Sequence, residues 1–336
     1  MRHIFNCAVR RKRLNRWTLV AAVLALSGNA GTLIAVGEDN GPPVWAYPVD
    51  AGGLKAPRDN GALRRVPDSK LGFSLSQVSD GFFSPDWHPQ DHPPMPEIVA
   101  RGKKPDVLAC GYCHRAEGTG GPENTSLAAL PAIYIVQQMA DFKSGARRTS
   151  VPQRGPPKAM IALAKAASTE DSEAAAAYFS TLKLKSIIQV IETNTVPKTH
   201  AHGWHLVDLK NGETEPIGQR IIEVPENLEQ FISRDSRSRF IAYVPIGSIE
   251  KGKALATTGG QGRTVQCAIC HGPGLKGLGP IPGIAGRSPS YLVRQLYDFK
   301  HGARAGIGSA LMKPTVEKLA IEDMTALAAY AASQPP

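Results

Sequence analysis

Apolar residues along the chain change spacing several times, and each change predicts an element. From Ala132 they fall at Ile133, Ile135, Val136, Met139 and Phe142, a helical rhythm, and Gly145 is placed to end the helix. A matching stretch ends at Gly302. A terminal helix follows in each half. One opens at Ser168 or Thr169 with acids in its first turn and runs to Ala177-Tyr178-Phe179; the other runs to Ala329-Tyr330. Helical starts also span 96–104 and 248–257. Between the halves, 187–191, 204–209, 220–224 and 240–244 read as strands, with Asn211-Gly212 as a hairpin turn.

The two halves repeat. Tyr134-Ile-Val-Gln-Gln138 is matched by Tyr291-Leu-Val-Arg-Gln295, and Asp141-Phe-Lys-Ser-Gly-Ala-Arg147 by Asp298-Phe-Lys-His-Gly-Ala-Arg304, every position offset by 157. Such self-similarity marks two copies of one structural unit.

The 336 residues exceed the ~150 that one domain usually needs. Gly and Pro together make up about 18% of the chain, short of a disordered composition but rich in loops. Aromatic residues are only 6%, so either the core is aliphatic or something other than protein supplies its bulk. The net charge of +10 is concentrated at the start. Arg2, Arg10, Arg11, Lys12, Arg13 and Arg16 precede an apolar run, Trp17 to Leu26, and then Ser27-Gly28-Asn29-Ala30, which reads as a secretory signal. An uncleaved anchor is the alternative, because apolarity resumes from Leu33 to Val36. Removing those six cations from the 39 Lys and Arg leaves 33 against 29 Asp and Glu, a mature charge of +4. Export to the periplasm is the expectation, and nucleic acid is not an expected partner.

Cysteine usage carries the chemistry. Besides Cys7 in the signal there are two C-x-x-C-H motifs, Cys110-Gly-Tyr-Cys113-His114 and Cys267-Ala-Ile-Cys270-His271. This is the attachment pattern of c-type haem. Two thiols three residues apart reach the two vinyl groups of one porphyrin, and the adjacent His lies under the ring as an iron ligand. A four-cysteine zinc site needs no His after each pair, a thioredoxin-like pair needs a βαβ setting, and simple disulfides leave both histidines unexplained.

For the sixth ligand, the repeat selects two of the five mature methionines. Met160 and Met312 each precede a helix tyrosine, Tyr178 or Tyr330, by 18 residues. Thioether ligation opposite His raises the reduction potential. Met139 and Met324 sit on apolar helix faces and are read as packing. His88 or His92 is the alternative ligand to Met160 on the first iron. The cluster His200-Ala-His202-Gly-Trp-His205 is read as surface histidines rather than a metal site, with no nearby cysteine or well-spaced carboxylate.

Over about residues 96–183 and 249–335, these motifs resemble the dihaem class I c-type cytochromes of the cytochrome c4 type. The resemblance implies a mainly α fold of two tandem cytochrome c domains, two covalent haems c, electron transfer and no substrate turnover. It also implies that a proline carbonyl after each motif accepts the axial His N–H, with Pro122 in the first half and Pro280 or Pro282 in the second as candidates. The expected organisation is a signal at 1–30, a Pro-rich extension at 31–95 wrapping the first domain, a cytochrome domain at 96–183, a small β-rich insert at 184–247 and a second cytochrome domain at 248–336.

The expectation is a periplasmic carrier between a donor dehydrogenase or quinol-oxidising complex and an acceptor oxidase, membrane-associated complexes included. Four haem propionates, about −4 if all ionise, offset the mature chain's +4. The rival readings are a dihaem redox enzyme, peroxidase-like or thiosulfate-oxidising, and a cytochrome subunit of a larger dehydrogenase.

Overall fold

The computed structural model describes residues 41–50 and 59–336. The signal and its anchor alternative lie outside the described residues. No described helix is long and apolar enough to cross a membrane.

The architecture is mainly helical with strands. Ahead of the first repeat, Val44–Ala46 form a 3-10 turn and α1 (Leu75–Ser79) is closed by a reciprocal cap between Ser74 and Gln77. The first repeat then holds α2 (Glu97–Ala100), α3 (Cys110–His114), α4 (Ala132–Ser144), α5 (Gly155–Ala166) and α6 (Thr169–Thr181). Helix α4 stops where Gly145 turns left-handed at φ 77°, a conformation cheap only for glycine. Helix α6 starts where the Ser168 hydroxyl accepts from Asp171 N–H and Asp171 reaches back to Ser168 N–H. Its apolar side, with Ala176, Tyr178 and Phe179, packs on Ile98, Val99 and Ile135 to form the first core.

Among the described residues, all seven strands fall between residues 188 and 245: β1 (Ile188–Thr193), β2 (Thr195–Pro197), β3 (Thr199–His202), β4 (His205–Asp208), β5 (Thr214–Pro216), β6 (Ile222–Pro225) and, after the short helix α7 (Leu228–Ile232), β7 (Phe240–Pro245). β7 is central to a three-stranded sheet, parallel to β1 and antiparallel to β6. The expected hairpin turn at Asn211-Gly212 is not one. The tight reversal is Gly203-Trp204, between paired His202 and His205, and β2–β5 form a second ladder beyond it. Gly203, at φ 61°, takes the left-handed corner there.

The second repeat holds α8 (Ser248–Thr258), α9 (Ala268–His271), α10 (Pro289–Lys300), α11 (Lys313–Val316) and α12 (Ile321–Ser333). Leu255, Val293, Met324 and Leu327 lie at the centre of its core, and Ala46 and Tyr47 from the extension join them. The extension therefore departs from expectation. Residues 41–50 pack on the second repeat, where Tyr47 donates to Asp298 at 2.9 Å, because the buried Tyr47 ring finds its partner Tyr297 there at 6.0 Å. The 59–95 stretch lies against the first repeat and the strand-rich segment, with Trp87 Nε1–H donating to Ser233 O and Asp91 paired to Arg237.

Candidate functional site

The first C-x-x-C-H motif is itself helix α3, so both thiols and the histidine come from little more than one turn. His114 is 7% exposed and its Nδ1–H donates to Thr125 O at 2.8 Å, which fixes the tautomer and leaves Nε2 as the metal-competent nitrogen. Burial pushes its pKa down, favouring the neutral imidazole, and pushes the Cys110 thiol up to about 12. The second motif repeats the arrangement on α9, where His271 Nδ1–H donates to Pro282 O at 2.7 Å.

Pro282 was among the expected carbonyls; Pro122 was not the one used. The carbonyl of Pro122 accepts from Arg294 instead. Thr125 and Pro282 are themselves 157 apart, so the repeat offset, rather than the search for a proline, carried the signal. Any residue supplies a backbone carbonyl.

Around α3 a cleft encloses about 1350 Å³, counted out to its open mouth. Cys110, Cys113, His114 and Met160 line it together with Ile98, Leu130, Ile135, Phe142 and Leu163. Thiols, imidazole and thioether on an apolar wall are the donor set and the dry surface that a haem needs. Met160 stands on α5, which begins where Gly155-Pro156-Pro157 starts a helix at its permitted first positions. Met139, read from sequence as packing, is half-buried and lines the same cleft. Met324 is core, 1% exposed. Met312 is half-buried at the junction of a 3-10 turn, Ile307–Leu311, and α11. Elsewhere in the same repeat Ile269, Leu278, Ile307 and Leu311 are exposed, apolar side chains of the kind a porphyrin would cover.

The repeated Tyr-Gln-Arg elements meet each other. Arg147 and Arg304 face across an antiparallel bridge, with Arg148 N–H donating to Ala303 O and Ala305 N–H to Ala146 O. Arg147 donates to Gln138 in its own repeat and to Tyr291 (2.8 Å) and Gln295 (3.2 Å) in the other. Arg304 donates to its own Gln295 and across to Tyr134 (2.7 Å) and Gln138 (2.8 Å). Each guanidinium also lies over the phenylalanine of its own repeat, at 4.5 Å from Phe142 and 4.3 Å from Phe299. The near-two-fold network borders the first cleft, which Tyr291 and Gln295 help to line.

No family model matches the chain. The chain is 38% identical over 76 residues to cytochrome c-554(548) of Halomonas halodenitrificans, covering 22% of itself and 92% of that protein. It is 26% identical over 236 residues to the thiosulfate dehydrogenase electron acceptor of Thiomonas intermedia, covering 69% of itself and 81% of the relative. Cytochrome c4 of Pseudomonas aeruginosa is 24% identical over 228 residues, with 67% and 83% covered. The chain belongs to the dihaem class I c-type cytochromes. It carries two covalently bound haems c and transfers electrons.

The remaining histidines of the cytochrome are engaged elsewhere. His88 Nε2 pairs with Asp235 at 3.1 Å, both buried, and His92 contacts Asp86 and Tyr178. Among the described residues no cluster of three or more His, Cys, Asp or Glu could hold a metal ion. His200 is exposed, but His205 is not a surface residue. It packs on Phe231 at 4.6 Å, and burial pushes its pKa down to about 4.

Sequence reasoning also missed the buried cations. Arg115, Arg147, Arg154, Arg287, Arg294 and Arg304 are all buried. Glu223 reaches from β6 to the start of α10, accepting from Ser288 and Ser290. Only the Gly-Ala-Arg repeat marked any of these in the sequence.

Proposed function

We propose that the protein is a periplasmic two-haem relay rather than an enzyme, built from cytochrome domains at 96–183 and 248–336 with the strand-rich 184–247 segment as an insert between them. In this reading Cys110 and Cys113 would hold one haem with His114 and Met160 as its iron ligands, and Cys267 and Cys270 would hold the other with His271 and Met312. Each haem, when bound, supplies a one-electron ferrous–ferric couple. The chain's residues do the rest. Thr125 and Pro282 carbonyls orient the two imidazoles, and the apolar walls exclude water.

One observation carries this reading: the reciprocal Tyr134–Gln138–Arg304 and Tyr291–Gln295–Arg147 contacts, which fix the two repeats against each other beside the first cleft. A relay needs its two centres in a constant relation; a solitary reaction site does not. The thioether expected on each iron leaves no open position for turnover. A dehydrogenase is the proposed donor and an oxidase the proposed acceptor. The relatives called thiosulfate dehydrogenase electron acceptors make a thiosulfate dehydrogenase the first donor to test.

The test mixes the oxidised cytochrome with a thiosulfate dehydrogenase and thiosulfate in a stopped-flow spectrometer. The relay reading expects rapid reduction of both haems and none with thiosulfate alone. Thiosulfate consumption by the cytochrome alone, or rapid peroxide turnover, replaces it with the enzyme reading.

A further inference from the structure

We propose that Arg154 and Arg294 form a clamp for a propionate carboxylate of the first haem, assembled by the N-terminal extension and the β3–β4 hairpin. The proposal rests on the placement of that haem at Cys110, Cys113 and His114. Both guanidiniums line the same cleft as those residues, and they come from opposite repeats, Arg154 just before α5 and Arg294 on α10. Both are buried, at 1% and 4% exposure.

Their partners are unusual for buried cations. Arg154 donates to Pro48 O at 3.1 Å and Trp204 O at 3.0 Å; Arg294 donates to Ala46 O at 2.8 Å and to Pro122 O. All four acceptors are backbone carbonyls, which satisfy hydrogen bonds but neutralise no charge. Among the described residues neither arginine forms an ion pair, and each cation works against the other's charge. Two like charges held away from water are unfavourable unless an anion joins them. The facing groups do not supply one freely. Asp298 Oδ1 already accepts from Tyr47 and Ser150, Glu223, whose charge reaches Arg294, is spent on Ser288 and Ser290, and Glu123 lies 3.7 Å from Arg115. The Tyr291 hydroxyl already accepts from Arg147, His205 brings no negative charge, and Arg147 adds another positive one. A haem propionate is a planar carboxylate suited to guanidinium forks.

The acceptors explain what the two added segments do. Pro48 and Ala46 belong to the extension, and Trp204 is the corner of the hairpin. Gly155 has no Cβ because the Trp204 ring occupies that space, so the hairpin corner closes directly onto the residue after Arg154. The clamp is also one-sided. The position matching Arg294 in the first repeat is Gln137, which is occupied with Asp141.

The test follows both midpoint potentials from pH 5 to 8 by spectroelectrochemistry in the full chain. Absence of one wave from a Cys110→Ala/Cys113→Ala chain assigns the first haem; retention of both haems there removes the placement itself, separately from the clamp. In the parent, a clamped propionate stays ionised and the first potential is flat with pH. In Arg294→Gln, which installs the residue its repeat counterpart carries, the first potential should fall because a cation no longer disfavours the ferric charge. It should also decline as pH rises, because the freed propionate now titrates, and the second potential should not move. An unchanged first potential with no pH slope overturns the clamp. A variant at Arg154 that loses the first haem outright is read through Arg154→Lys. Parent-like potentials there support the clamp, and haem loss equal to that of Arg154→Gln assigns the residue to packing.

Discussion

The two C-x-x-C-H motifs are the same five-residue device set in different surroundings. The first is sunk: His114 is buried, and its cleft draws walls from both repeats and buried arginines from both. The second is flanked by side chains left in water, with Ile269 62% and Ile307 85% exposed. The histidine hydrogen bond is the same in each, so local geometry is set by the motif while the environment is set by whatever the rest of the chain lays over it. The extension and the strand-rich segment are laid over the first site. A buried couple feels nearby charges at low dielectric; an exposed one has them screened.

The largest expected effect removes one member of the comparison. Cys267→Ala/Cys270→Ala should lose about half of the haem retained after acid–acetone extraction, with the first site keeping its spectrum. The matching change at Cys110 and Cys113 should cost the same haem and also lower the melting temperature more, since it empties an interior cleft rather than a surface one. Equal melting points would show that the burial difference has no energetic weight.

Next comes ligation. Met312→Ala and Met160→Ala should each admit carbon monoxide at one ferrous iron and lower its potential, as the thioether no longer favours the reduced state. Entry should be slower at the first site, behind its walls. Met139→Ala should leave the spectrum intact and cost about 1–2 kcal/mol in denaturant unfolding, the low end for a half-buried methionine. A carbon monoxide difference in that variant would move the first ligand from Met160 to Met139.

His205 tests the first site's cover through pH. Its folded pKa of about 4 lies below the ordinary 6.5, so the unfolded chain binds the proton more readily. Its contribution is therefore full above pH 6.5 and is lost as pH falls toward 4, amounting to about 3 kcal/mol. His205→Gln should flatten that part of the stability–pH curve; an unaltered curve would place the imidazole in water.

Last comes the contact between repeats. Arg304→Ala leaves Tyr134 and Gln138 short of a donor and should cost about 2 kcal/mol, as should Arg147→Ala. Because the two share Gln138 and Gln295, the double variant should cost less than the summed singles. Strict additivity would mean that the two halves of the network act independently.

Much of this was legible in the sequence. Helices α4, α6 and α8 lie where apolar rhythm, the Ser168 cap and Gly145 put them, since these are local signals read within one or two turns. Both motifs and the Tyr-Gln-Arg repeat were visible as spacing. What was not legible depends on partners far along the chain. Tyr47 reaches Asp298 across 251 positions, and nothing near Tyr47 announces it. Strands β2, β3 and β5 are three or four residues long, too short for alternation to show, and their ladders placed the reversal at Gly203-Trp204 instead of the stronger Asn211-Gly212 turn signal. Burial of Arg154 and His205 could not be foreseen because a polar residue reads as surface until the fold covers it.

The crossed contacts of Arg147 and Arg304 bear on how such a molecule can change over time. Each repeat's tyrosine serves the other repeat's arginine and each glutamine serves both, so neither arginine is satisfied within its own copy. After a duplication, spare copies ordinarily drift apart under separate selection. Here a substitution at Tyr134 is felt first at Arg304, and one at Tyr291 at Arg147. The twins are held to a common vocabulary at these six positions while free to diverge elsewhere, as Gln137 and Arg294 have. Separating the repeats would strip from Arg147 and Arg304 the tyrosine and glutamine that each draws from the other copy.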